Sequence, residues 1–254
     1  MLRSLRLAFF AAALAVPLAA RAAPRPLAVA AAANLKPAMD RLERAFEAAN
    51  PGVDVAVTAG ASGAFFAQIR NGAPFDLFFS ADREYPAKLV AEKLGSEEVV
   101  YAVGRLVVWT PRRSTLDVAG RGLAALADPA VRRIALANPA VAPYGRAAVA
   151  ALEAAGIHDA VRDRLVLGQS VAQAAQFAES GAADVALVPA SLALAPALAG
   201  GNVYPVPPGS HPPLEQSALV LAGARDPALA RAFLSFVTGP SGRDILTRAG
   251  YALP

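Results

Sequence analysis

The sequence predicts a two-lobed α/β protein in which each lobe is a mostly parallel sheet flanked by helices, with a ligand cleft between the lobes. Three observations carry this expectation. Short apolar runs alternate with segments of helical spacing from Leu27 to Ser80 and again from Ile134 to Val188, and such alternation builds parallel sheets. Glycine and proline interrupt the pattern around Val103-Gly104-Arg105 and again from Pro205 to Pro213, which suggests two passages between lobes. About 230 residues follow position 22, enough for two domains without metal or disulfide support.

Residues 1–22 read as a secretory signal peptide. Arg3 and Arg6 precede an apolar run, Leu7 to Val16, that is too short to span a bilayer, and Ala20-Arg21-Ala22 supplies a small-residue cleavage pattern. Cleavage is expected after Ala22. The chain has no cysteine, which excludes a disulfide framework and a bacterial lipid attachment. The expectation is a soluble periplasmic protein that is not lipid-anchored.

The first lobe is expected from residues 23–102 together with 204–254. Leu27 to Ala31 is an apolar run, and Leu35, Ala38, Met39, Leu42, Ala45 and Phe46 follow at helical spacing. Val53 to Thr58 alternates as a strand; Phe65, Phe66 and Ile69 indicate a helix stopped by Asn71-Gly72, and Asp76 to Ser80 is a third strand. The second lobe, residues 103–203, takes strands at Leu106–Trp109, Ile134–Ala137, Leu165–Leu167 and Val185–Val188. Its helices span Arg146–Ala155 and Val171–Ser180, ended by Gly156 and Gly181. Beyond the proline-rich return, Ala218 to Leu221 resumes as a strand. The helices Pro227–Val237 and Ser241–Ala249 are expected to pack on the first lobe.

The net charge of +4 and the sequence pI near 9.8 overstate the basic character. Removing residues 1–22, which hold Arg3, Arg6 and Arg21 and no acid, leaves +1. The basic residues are scattered rather than gathered on one face, so nucleic-acid binding is not expected. Two histidines and no cysteine provide no zinc spacing and no nucleophile motif, so no catalytic residue and no direct metal-cation ligand is assigned. His158 and His211 read as surface residues.

The informative residues stand at strand-to-helix junctions. Asn34 follows Ala31-Ala32-Ala33, and Ser62 follows Ala59-Gly60-Ala61; each is a natural helix cap, and capping alone accounts for either. The second lobe adds Ala142-Pro143-Tyr144-Gly145 and Gly168-Gln169-Ser170-Val171 before helices. Four helix starts facing one cleft suit an anion without lysine or arginine, through free N–H groups and the positive ends of the helix dipoles. A guanidinium clamp from Arg83, Arg105, Arg112 or Arg146 is the rival arrangement; surface positions are the simpler reading, with Arg146 set apart by its place in the first turn of a site helix. Asp76 and Asp82 bracket a strand end and read as caps.

Four segments together resemble the molybdate-binding proteins of ABC transporters: Ala31-Ala32-Ala33-Asn34-Leu35; Gly60-Ala61-Ser62-Gly63 with Gln68-Ile69; Gly72-Ala73-Pro74-Phe75-Asp76-Leu77-Phe78-Phe79-Ser80-Ala81-Asp82; and Asn138-Pro139 through Pro143-Tyr144-Gly145-Arg146. The third is the most specific, and the resemblance covers nearly the whole mature chain. It implies a type II periplasmic binding protein fold and a non-enzymatic monomer without a cofactor. It also implies capture of molybdate, and of tungstate of almost the same size, for the permease and ATPase subunits of an ABC transporter. Molybdenum is then held as the oxyanion. The ligand set implied is Asn34 and Ser62 from the first lobe, with Tyr144 and Val171 acting mainly through backbone N–H from the second. Many relatives carry serine in place of Asn34, and others a tyrosine near Pro189, so the resemblance is to the branch that uses Tyr144 and Asn34. Sulfate, phosphate or a small organic anion is the alternative ligand; a periplasmic enzyme and a sensory or scaffold module are the alternative classes.

Overall fold

The computed structural model describes residues 26–254. The signal peptide expected over residues 1–22 lies outside this range. In chain order the elements are β1 (Leu27–Ala32), α1 (Lys36–Ala49), β2 (Val55–Gly60), α2 (Ser62–Arg70), β3 (Leu77–Phe79), α3 (Glu84–Ala91), β4 (Val99–Gly104), β5 (Leu106–Thr110), α4 (Val118–Arg121), β6 (Ile134–Ala137), α5 (Pro143–Ala154), α6 (His158–Val161), β7 (Leu165–Gly168), α7 (Val171–Glu179), β8 (Val185–Pro189), α8 (Ala190–Ala193), β9 (Asn202–Pro205), β10 (Leu214–Val220), α9 (Pro227–Thr238) and α10 (Pro240–Arg248).

The strands form two five-stranded sheets, ordered β2-β1-β3-β10-β4 and β7-β6-β8-β5-β9. In the first, β1 pairs in parallel with β2 and β3, while β10 runs antiparallel to both β3 and β4. In the second, β6 pairs in parallel with β7 and β8, while β5 runs antiparallel to β8 and β9. Both sheets are therefore mixed, each with a single reversed strand. That strand is β5 in one and β10 in the other, the first strand the chain makes after passing from one sheet to the other. The passages are Arg105, between β4 and β5, and Val206–Pro213, between β9 and β10.

Each sheet buries its own apolar side chains. Leu35, Met39, Leu42 and Phe46 share one face of the first helical segment and pack with Phe233, Val237 and Leu246 of the two C-terminal helices, with the Phe46 and Phe233 rings edge to face at 5.0 Å. Phe233 is fully buried, so truncation to alanine would cost about 3–5 kcal/mol. Around the second sheet the helices turn alanine inward: Ala147, Ala148 and Ala151 on α5, and Ala174, Ala175 and Ala178 on α7, at the spacing that aligns one face of a helix. The expected helix stops hold: Gly156 and Gly181 have φ of 68° and 77°, a conformation that glycine adopts without steric cost.

Three local expectations differ from the structure. Asn34 lies inside a 3-10 turn, Ala33–Leu35, ahead of α1, and no side-chain hydrogen bond caps that turn. Val103 and Gly104, expected at the hinge into the second lobe, are the last residues of β4 in the first sheet. The strand expected from Ala218 begins four residues earlier, at Leu214.

Candidate functional site

Asn34, Ser62, Tyr144 and Val171 come together around one cavity, lined also by Ala32, Ala33, Gly60, Ala61, Ala81, Ala142 and Pro143. The first sheet contributes the C-terminal ends of β1 and β2 and the turn after β3, and the second contributes the starts of α5 and α7. The cavity's volume is about 10 Å³, far below the roughly 300–1,000 Å³ of sites for drug-sized organic ligands. A depression with more room lies near Arg113, Asp117 and Arg121, but the cavity between the sheets is the one that gathers helix starts from both. No lysine, arginine, aspartate or glutamate lines it.

What the cavity offers is N–H and O–H. Ser62 and Val171 are the first residues of α2 and α7, and Tyr144 is the second of α5 behind Pro143; first-turn N–H groups have no acceptor within their own helix. Pro143 sits at the position where the missing proline N–H costs nothing. Ser62 does not cap α2: its Oγ accepts the Ala81 N–H at 3.0 Å, which occupies a lone pair and leaves the hydroxyl proton to donate. Ser170 does cap α7, accepting from Gln173 N–H at 3.3 Å, and so fixes the direction of the Val171 N–H. Both Ser62 and Asn34 are 1% exposed.

Beneath the cavity runs a buried polar network that sequence reasoning missed. Asn34 Nδ2 donates to Gln216 Oε1 at 2.9 Å and to the Tyr251 hydroxyl at 2.8 Å. Gln216 Nε2 donates to the Tyr144 hydroxyl at 3.0 Å; Tyr101 donates to Gln216 Oε1 at 2.9 Å or to the Ser80 carbonyl at 3.0 Å. Ser191 on α8 donates to the Asn34 carbonyl at 2.8 Å. The Tyr144 phenol thus reaches from the second sheet to β10 of the first, so its side chain as well as its N–H has a structural task. Burial pushes the Tyr101, Tyr144 and Tyr251 hydroxyls well above the usual phenol range, which keeps them protonated. A polar Gln216 in phase with Leu214, Ala218 and Val220 was the available signal.

Further contacts close the two sides on each other. Gly63 N–H donates to the Val141 carbonyl at 2.9 Å. Arg146 reaches Asp82 at 2.6 Å, Glu84 at 3.3 Å and the Tyr85 hydroxyl at 3.3 Å. Burial raises the Asp82 carboxyl above its ordinary value, against hydrogen bonds from Ser80 and the Tyr85 N–H and the charge of Arg146. Arg146 is therefore a clasp beside the cavity rather than a lining residue, and Arg83 pairs with Glu98 at 2.6 Å. Asp76 also exceeds a capping role, accepting from Ala28 N–H, Arg225 N–H and the Arg225 guanidinium. His158 and His211 do not line the cavity. Among the described residues no group of three His, Cys, Asp or Glu side chains is placed to hold a metal cation, and no helix is long and apolar enough to cross a membrane.

The chain is similar to known proteins over nearly its whole described length. The family model of bacterial extracellular solute-binding proteins matches residues 27–252. The molybdate-binding protein ModA of Azotobacter vinelandii is 36% identical over 239 residues, covering 93% of each chain. That of Rhodobacter capsulatus is 34% identical over 251 residues, covering 98% of this chain and 97% of its own. The solved structure of the Azotobacter vinelandii periplasmic molybdate-binding protein superposes with a TM-score of 0.83 at 34% identity, covering 89% of this chain and 98% of that one. With these matches across nearly its whole described length, the chain belongs to the bacterial extracellular solute-binding proteins, in the family of the ModA molybdate-binding proteins.

Proposed function

We propose that this chain captures molybdate, and tungstate with it, and delivers it to the permease and ATPase subunits of an ABC importer. The observation that carries the reading is the convergence of Asn34, Ser62, Tyr144 and Val171 from both sheets on one small cavity without charged side chains. Fixed N–H and O–H donors and helix N-termini stabilise an anion in place of water, and a neutral wall leaves a fully ionised oxyanion as the matching occupant. Donors fixed in direction select by the spacing of the ligand oxygens. Tungstate, nearly equal in size, meets the same donors, whereas the smaller sulfate leaves some of them unpaired in a buried site, at about 1–3 kcal/mol each.

In this reading the Ser62 hydroxyl and the Asn34 amide bind from one side, and the Tyr144 and Val171 N–H groups bind from the other. Closure brings Gly63 onto Val141 and Arg146 onto Asp82, and the two connections at Arg105 and Val206–Pro213 serve as the hinge. The protein acts as a periplasmic monomer after removal of residues 1–22, without a lipid anchor, and performs no catalysis. The lobes correspond to residues up to 104 with 214–254, and to 106–205, two residues off the bounds expected from sequence at each crossing because β4 runs to Gly104 and β9 to Pro205. A thermal-shift panel on the ligand-stripped mature chain tests the proposal. Molybdate and tungstate at a hundredfold excess over Kd should each add about 2.7 kcal/mol of stability, with sulfate and phosphate far behind; no response to either metal oxyanion would refute it.

A further inference from the structure

We infer that Gln216 is a positioning residue that decides which atom of the Asn34 amide faces the oxyanion. The inference rests on the oxyanion reading of the cavity and assigns a role to a residue outside its lining. Asn34 Oδ1 is the buried side-chain atom without a hydrogen-bond partner among the described residues. With both Nδ2 hydrogens directed to Gln216 and Tyr251, Asn34 has only an acceptor left for the cavity it lines. That polarity repels an anion.

A concerted rotation of two amides reverses it. Nitrogen and oxygen of a terminal amide exchange places with no change in the heavy-atom frame. If Asn34 and Gln216 turn together, Gln216 Nε2 donates to Asn34 Oδ1 and to the Tyr101 hydroxyl across the same 2.9 Å separations. Tyr101 then sends its proton to the Ser80 carbonyl. Tyr144 donates to Gln216 Oε1 over 3.0 Å, Tyr251 to Asn34 Oδ1 over 2.8 Å, and Ser191 to the Asn34 carbonyl. Every hydroxyl proton in the network has an acceptor. The one donor left over is Asn34 Nδ2, now in the place of the orphaned Oδ1.

Gln216 is the member of the network that can enforce this choice. Hydroxyls adapt to either sense by rotating one proton, whereas Gln216 presents a donor at one end and an acceptor at the other, held between Tyr101, Tyr144 and Asn34. It is fully buried, on a strand paired on both edges. Its far end meets the Tyr144 phenol of the second lobe, which accepts in one sense and donates in the other across the same 3.0 Å.

The test is a double-mutant cycle read by calorimetric titration of molybdate into ligand-stripped protein. Gln216→Met, similar in volume and without donor or acceptor amide, should raise Kd roughly tenfold or more, and Asn34→Ala roughly ten- to hundredfold. The double variant should be no weaker than Asn34→Ala alone within about twofold, because Gln216 acts through Asn34. Additive losses, or a Gln216→Met variant that binds as the parent does, would overturn the assignment and leave the oxyanion reading standing. A parent protein that binds neither molybdate nor tungstate overturns both. Should Gln216→Met not fold, the parent's molybdate complex gives the answer by NMR. The Gln216 side-chain NH2 protons should show cross-relaxation to the Tyr101 ring, and contact to the Tyr144 ring in its place would overturn the assignment.

Discussion

Replacing Ser62 by alanine separates the two tasks of one hydroxyl. As a ligand donor, Ser62 loses a hydrogen bond to a buried charge worth about 1.5–3 kcal/mol, which is roughly a 10- to 150-fold rise in the Kd for molybdate. As an acceptor it currently satisfies the Ala81 N–H at 3.0 Å, and its removal orphans that buried group at about 1–3 kcal/mol of stability. For a chain of this size that lowers Tm by roughly 2–12 °C. The two effects appear in different experiments: calorimetry on protein shown to be folded reads the first, and thermal unfolding of ligand-free protein reads the second. The expected pair is a weaker Kd together with a lower Tm. A lowered Tm with Kd unchanged within twofold would refute the ligand role and reduce Ser62 to a bracket for the turn after β3.

Three further predictions follow from the same geometry. Val171→Pro should fold, because Ser170 before it is already extended at φ −148° and ψ 168° as a residue preceding proline requires; loss of the N–H should raise Kd for molybdate roughly tenfold in the same calorimetric assay. Gly63→Ala should weaken binding, since a Cβ there would stand 2.9 Å from the Val141 carbonyl across the cavity as well as 2.6 Å from the Tyr85 hydroxyl on its own side; X-ray scattering should show a larger radius of gyration with molybdate than the parent gives. Asp76→Asn should lower stability by about 2–4 kcal/mol by urea unfolding at neutral pH, because a buried carboxylate bridging Ala28 and Arg225 is lost. Burial alone would raise the Asp76 carboxyl, but the Arg225 and Ala28 hydrogen bonds outweigh it and hold it below 3.8. Its stabilisation is therefore present above the unfolded value and lost as pH falls through the lower folded value, so parent and variant should converge in acid.

The sequence carried most of the fold because its helices and strands announce themselves locally. Periodic apolar spacing identified the α1 stripe from Leu35 to Phe46, and Gly156 and Gly181 ended their helices where only a left-handed residue continues the chain. That Asn34, Ser62, Tyr144 and Val171 line one cavity was legible only through the family resemblance, since a helix start exposes its N–H groups whatever the rest of the fold does and capping alone would account for Asn34 or Ser62. The polar network was not legible, because its side chains come from six separate segments: the 3-10 turn, β4, α5, α8, β10 and the stretch after α10. Tyr101 was hidden in a strand whose end at Gly104 resembled a hinge, and Gln216 in one whose Glu215-Gln216-Ser217 segment broke the apolar run. Burial of β10 from Gln216 onward, rather than its composition, makes Gln216 and Ser217 part of the core, while Glu215 stays exposed. Arg146 could not be placed from sequence either, since its partners Asp82 and Tyr85 approach only when the two sheets face each other.

The central claim is that one oxyanion is held between the sheets by helix starts from both, and anomalous X-ray scattering from molybdenum tests it most directly. Crystals of the mature chain grown with molybdate should give a single strong molybdenum peak in the cavity lined by Asn34, Ser62, Tyr144 and Val171, with the Ser62 Oγ and the Val171 nitrogen both within hydrogen-bond distance of its oxygens. A molybdenum peak elsewhere on the molecule, or one bound to residues of a single sheet, would contradict the account.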